Sequence, residues 1–142
     1  MDETTPENPL ARPADKLVLL VDDDESLLDL MEHVVKKEGF RTDRATDGPE
    51  ALRKAQALDP HALVLDMMLP GLGGFEVLRE LQAAGCGNIP VIVVTGRQMD
   101  RAGIDLIRHE PNVKEFMEKP VRPVLLAGAL HRIMGTAPAP KA

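Results

Sequence analysis

A chain of 142 residues has room for one domain with a single substantial core, and is too short for two. Its 44% hydrophobic and 28% charged residues are those of a soluble globular protein, while a net charge of −6 and three Phe with no Trp or Tyr argue against nucleic-acid binding, whether by a basic surface or by base stacking. Cys86 is the single cysteine, so no internal disulfide forms, which fits a reducing compartment; no apolar run reaches bilayer length and the acidic N-terminus carries no signal-peptide pattern, making cytoplasm the expected location.

Residues 1–15 carry Pro6, Pro9 and Pro13 among polar residues, lack apolar periodicity, and are expected to form a mobile lead-in. Leu17 to Val21 then reads as a buried strand that runs into Asp22-Asp23-Asp24-Glu25. Leu27, Met31, Val34 and Val35 recur at helical spacing up to Gly39. The next strand, Phe40 to about Ala45, is polar enough for a sheet edge. Asp47-Gly48-Pro49 opens a second helix with Ala51, Leu52, Ala55 and Leu58 inward, the proline fitting a first turn where no N–H is needed. Ala62 to Leu65 is a third buried strand, ended by the lone carboxylate Asp66, and Phe75, Leu78 and Leu81 mark the helix after it. Val91 to Val94 forms a fourth strand ending in Thr95-Gly96, followed by a weakly patterned helix from about Asp100 to Arg108. Glu115-Phe116-Met117 is a short fifth strand before Glu118-Lys119-Pro120, and the last helix, about Val121 to Met134, turns Leu126, Leu130, Ile133 and Met134 inward. Residues 135–142 read as a Pro/Ala tail.

Strands that are apolar throughout and alternate with helices predict a single α/β domain, a (βα)5 doubly wound parallel five-stranded sheet covered by helices on both faces. Right-handed crossovers place every strand's C-terminal end on one edge, where such sheets bind ligands. That edge receives Asp22 and Asp23 from the first strand, Asp66 from the third, Thr95 from the fourth and Lys119 from the fifth. Three carboxylates so close repel one another unless a cation compensates, and an oxygen-only site suits Mg²⁺. Lys119 suits a phosphoryl oxygen as a point charge, Thr95 offers a hydroxyl, and Asp66 can act as a carboxylate nucleophile forming an acyl phosphate.

Val21-Asp22-Asp23-Asp24, Leu65-Asp66-Met67-Met68-Leu69-Pro70-Gly71 with Gly74, Val94-Thr95-Gly96 and Phe116-Met117-Glu118-Lys119-Pro120 resemble the receiver domains of two-component response regulators over about Lys16 to Met134. The resemblance implies the flavodoxin-like strand order 2-1-3-4-5. It makes Asp66 the acceptor of a phosphoryl group from a histidine kinase or phosphotransfer protein. Asp22, Asp23, Asp66 and the backbone carbonyl of Met68 become the Mg²⁺ ligands, Thr95 and Lys119 the phosphoryl partners, and Lys119-Pro120 a cis peptide. Phe116 matches the switch aromatic, and Met68 and Arg97 occupy the two positions that tune hydrolysis. An unknown output protein or domain, and a homodimer, would use the surface of the fourth helix, fifth strand and fifth helix. Chemistry is then self-directed, phosphorylation and dephosphorylation of the chain itself.

Two other function classes are open to the same residues. A metal-dependent phosphohydrolase with an aspartyl nucleophile generally carries a second acid two residues on, where Met68 stands. A module that binds without phosphate has no need of Asp66, Thr95 and Lys119 together. Asn112-Val113 after Pro111 departs from the receiver pattern, which draws attention to the approach to the fifth strand.

Overall fold

The computed structural model describes residues 10–96 and 99–138. Five strands, β1 (Leu17–Val21), β2 (Arg41–Ala45), β3 (Ala62–Asp66), β4 (Val91–Thr95) and β5 (Val113–Glu118), alternate with α1 (Glu25–Lys37), α2 (Gly48–Leu58), α3 (Gly74–Ala83), α4 (Arg101–Arg108) and α5 (Pro123–Met134). All neighbouring strands pair in parallel, in the order β2-β1-β3-β4-β5. This is the fold class and strand order expected above.

The pleat divides each central strand between two apolar layers. Leu19, Val21, Leu63, Leu65, Val91 and Val93 pack with Ala51 and Ala55 of α2, Val77, Leu78 and Leu81 of α3 and Ile107 of α4. Val18, Leu20, Ala62, Val64, Ile92 and Val94 pack instead with Leu28, Met31 and Val35 of α1 and Leu126, Ala129 and Leu130 of α5. The starts of α1, α2 and α4 are fixed by acids whose carboxylates accept otherwise unpaired backbone N–H groups. Asp24 accepts from Ser26 and Leu27, Asp47 from Glu50, and Asp100 from Gly103. Only one residue of α4, Ile107, is buried, which makes it the least anchored helix.

Three boundaries differ from the sequence reading. β5 starts at Val113, because it is an edge strand with a register shift between Val91 and Ile92 that alternation alone does not reveal. α5 begins at Pro123, inside the first turn that proline favours. Residues 10–15 and 135–136, assigned above to ends outside the fold, are fastened to it. Pro13–Asp15 forms a 3₁₀ turn, the Arg41 guanidinium donates to the Ala14 carbonyl, and the Ala11 N–H donates to the Gly135 carbonyl at 2.9 Å.

Candidate functional site

Each functional side chain is set by the backbone ladder that ends beside it. The Asp22 N–H donates to the Ala45 carbonyl at 3.1 Å, continuing the β1–β2 ladder one step past the strand. Asp22 Oδ1 accepts the Asp24 N–H at 2.9 Å, which leaves Oδ2 turned away from its own turn. Asp66 closes β3 opposite Val94, and its Oδ1 accepts the Met68 N–H at 3.1 Å. The Lys119 N–H donates to the Thr95 carbonyl at 2.7 Å, tying the fifth-strand exit to the fourth. The Lys119-Pro120 bond is cis, as the resemblance implied.

These residues form one cleft. Asp22, Asp23 and Asp66 each present a carboxylate oxygen within 4.8 Å of the others. Lys119 Nζ lies 3.2 Å from Asp22 Oδ2 and 3.5 Å from Asp66 Oδ1. Asp22 and Asp66 are 0% and 1% exposed, Thr95 is buried and Asp23 is exposed, so the cleft has a closed floor and an open acidic lip. Burial, the largest influence, raises the Asp22 carboxyl above its ordinary range and Asp66 adds to this, against the Asp24 N–H and Lys119. Burial alone would lower the Lys119 ammonium, but the charges of Asp66 and Asp22 outweigh it and hold its pKa raised.

Asp22 Oδ2, Asp66 Oδ2 and Thr95 Oγ1 are buried without a hydrogen-bond partner; Lys119 is at ion-pair distance from the first but not aligned to donate. Buried polar atoms in folded proteins are nearly always partnered, and each unpaired one costs about 1–3 kcal/mol. Three such orphans in one cleft are explained by ligands they are built to receive. Carboxylate oxygens alone, some orphaned and one on an open lip, fit a hard divalent cation such as Mg²⁺. The residues present therefore fit the group.

Other residues singled out in the sequence stand close by. Met68 is 59% exposed on the rim. Phe116 lies opposite Val93, half-buried on the α4 side of the sheet, with the Arg108 guanidinium 4.9 Å from its ring centroid. Arg97 lies outside the described residues. Sequence reasoning missed Arg108, and it placed Gly74 in the receiver motif without its steric reason: a Cβ there would sit 2.6 Å from Met67 Cα and Sδ and 3.0 Å from the Asp66 carbonyl. The backbone behind Asp66 requires that glycine.

Fold and site together define a doubly wound α/β protein with an acidic cleft, suited to a cation and an anion, at the carboxyl edge of its sheet. Residues 18–131 match the family model described as the response regulator receiver domain. The chain belongs to that family. It is 33% identical over 120 residues to protein Rrf1 of Nitratidesulfovibrio vulgaris, covering 84% of this chain and 83% of Rrf1. It is 38% identical over 104 residues to the sensory transduction protein RegX3 of Mycobacterium tuberculosis, covering 72% of this chain but 44% of RegX3. The match thus spans less than half of that relative. Among solved structures, the receiver domain of a sensor histidine kinase from Pseudomonas aeruginosa, which holds a magnesium ion in its active-site cleft, superposes with a TM-score of 0.75 at 27% identity, over 85% of this chain and 98% of that one.

Proposed function

We propose that this receiver, spanning residues 16–134, accepts a phosphoryl group on Asp66 from a histidine kinase or phosphotransfer protein in a Mg²⁺-dependent reaction. The observation that carries this reading is the trio of buried, unpartnered oxygens on Asp22, Asp66 and Thr95 around the Lys119 ammonium. An oxygen of the Asp66 carboxylate attacks phosphorus while the bond from phosphorus to the donor's imidazole nitrogen breaks, its electron pair returning to that nitrogen. Lys119, already between Asp22 and Asp66, neutralises charge on the transferred oxygens. Thr95 Oγ1 donates its free hydroxyl hydrogen to one of them. Asp22, Asp23, Asp66 and the Met68 carbonyl would hold Mg²⁺, which would supply positive charge to offset that of the transferred group.

Chemistry at this site is directed at the chain itself, since position 68 carries a thioether where an ester hydrolase needs an acid. Phosphorylation then changes the surface of α4, β5 and α5, through Thr95 and Phe116, for an output partner or a second copy of the chain. Among the described residues no helix is long and apolar enough to cross a membrane. We place the domain in the cytoplasm, facing its kinase. Incubation with acetyl phosphate and Mg²⁺ tests the reading: wild type gains the mass of one phosphoryl group and Asp66→Asn gains none. Equal labelling of both proteins, or labelling of neither, contradicts it.

A further inference from the structure

The fifth strand is an edge strand, and on its α4 side a cation lies over its one aromatic ring. Arg108, exposed in the last turn of α4, stacks its guanidinium 4.9 Å from the centroid of the Phe116 ring, well inside cation–π range. No carboxylate among the described residues forms an ion pair with Arg108, so the ring is its partner. Phe116 lines two open surface grooves, one of about 380 Å³ beside Arg108, Val113 and Glu115, and one of about 420 Å³ running to Lys119 and Pro120. The ring thus borders solvent on one side and the apolar layer on the other, and the contact with Arg108 bears on how far it leans either way.

The segment that follows Arg108 is held to α3. Gln82 Nε2 of α3 donates to Glu110 Oε1 at 2.9 Å and to Asn112 Oδ1 at 3.0 Å, and Asn112 Nδ2 donates to the Leu78 carbonyl at 3.2 Å. Arg79 pairs with the same Glu110 oxygen at 3.1 Å. With Ile107 buried, these contacts pin the C-terminal end of α4, while Arg101 and Ala102 at its other end are exposed. Thr95 shares its face of β4 with Val93, which lies opposite Phe116, so the unpartnered hydroxyl and the ring are diagonal neighbours across β4 and β5.

We propose that Arg108 is a positioning residue: anchored through the α3 contacts, its guanidinium holds the Phe116 ring half-exposed and so sets how readily the Thr95 edge of the cleft rearranges. The proposal rests on the receiver reading above and adds a restraint on it. An exposed cation–π contact biases an equilibrium by about two- to fivefold. Releasing it lets the ring move inward and speeds labelling of the cleft by that factor.

The test uses the full chain labelled with 4-fluorophenylalanine, whose three phenylalanines, Phe40, Phe75 and Phe116, give three fluorine NMR resonances. Substitution of each phenylalanine in turn assigns them. The solvent isotope shift of the Phe116 resonance reports how much water the ring meets. In unphosphorylated Arg108→Gln that shift falls below the wild-type value, because the ring turns inward. Arg108→Lys restores it, and acetyl phosphate labels Arg108→Gln about two- to fivefold faster than wild type. A larger isotope shift in Arg108→Gln overturns the proposal, since it means the guanidinium merely covered the ring. An unchanged labelling rate alongside an inward ring overturns the link to the cleft. If wild type takes no phosphoryl group at all, the receiver reading fails, whereas the isotope shift still decides whether Arg108 restrains Phe116.

Discussion

Replacing Asp22 by Asn removes a charge that the fold holds at a cost, and makes the protein more stable while impairing its chemistry. Asp22 is 0% exposed, Oδ2 has no aligned donor, and burial with help from Asp66 disfavours its ionised form. Asparagine keeps the shape and the acceptor for the Asp24 N–H, and Lys119 keeps Asp66 at 3.5 Å. The gain comes from no longer burying a charge and from relieved repulsion with Asp66, less the lost attraction to Lys119 and with the new amide still unpartnered. About 1 kcal/mol survives, worth about 3–6 °C in Tm for a domain of this size. The sign with pH follows from the raised folded-state pKa. Stability due to Asp22 is present below the unfolded value of 3.8 and is lost as pH rises through the folded value. The advantage of Asp22→Asn is therefore absent in acid and grows toward neutrality. Urea unfolding in EDTA between pH 4 and pH 8 measures it. With Mg²⁺ the gap narrows, because the wild-type site gains binding energy that the variant loses. An Asp22→Asn protein no more stable than wild type in EDTA at neutral pH refutes the reasoning.

Gly74→Ala forces Met67 and the Asp66 carbonyl to move, lowering stability by about 1–3 kcal/mol in urea unfolding and slowing acetyl phosphate labelling; unchanged values for both contradict the close approach. Met68→Asn replaces an exposed thioether on the rim with a group that can orient water, so the phosphorylated form decays faster, as followed by mass; an unchanged decay rate removes Met68 from this role. His61 accepts the Leu17 N–H at Nδ1, and burial, then Lys16 and Arg41, lower its pKa. A lowered imidazole pKa contributes stability above 6.5 that is lost as pH falls through the folded value. Wild type thus loses more stability than His61→Gln on going from pH 7 to pH 5, and parallel stability curves from thermal unfolding count against it.

The sheet and the cleft were legible because the features that make them are local. Leu17–Val21 and Ala62–Leu65 are unbroken apolar runs, as strands buried on both faces must be, and each is followed at once by its acid. Parallel topology then brings Asp22, Asp66, Thr95 and Lys119 to one edge, with no need for side-chain detail. The less legible parts depend on contacts between distant segments. The Asn112 amide, buried against α3, looks from the sequence like a loop residue, because Gln82 and Leu78 lie far from it along the chain. Arg108 reads as an ordinary surface charge until β5 sets Phe116 beneath it. Gly74 fitted the receiver motif, but its reason, Met67 pressed against its Cα, is visible only in three dimensions. The fastening of Ala11 to Gly135 is a backbone bond between two segments of polar and proline-rich composition, with no periodic pattern to announce it.

The account stands on Asp66 as the group that takes the phosphoryl. An acyl phosphate is reduced by borohydride to the alcohol, so a phosphorylated aspartate becomes homoserine and is located by peptide sequencing in the mass spectrometer. After treatment with acetyl phosphate and Mg²⁺, the account predicts homoserine at position 66 and intact aspartates at 22 and 23. Homoserine at either of those positions, with residue 66 untouched, contradicts it.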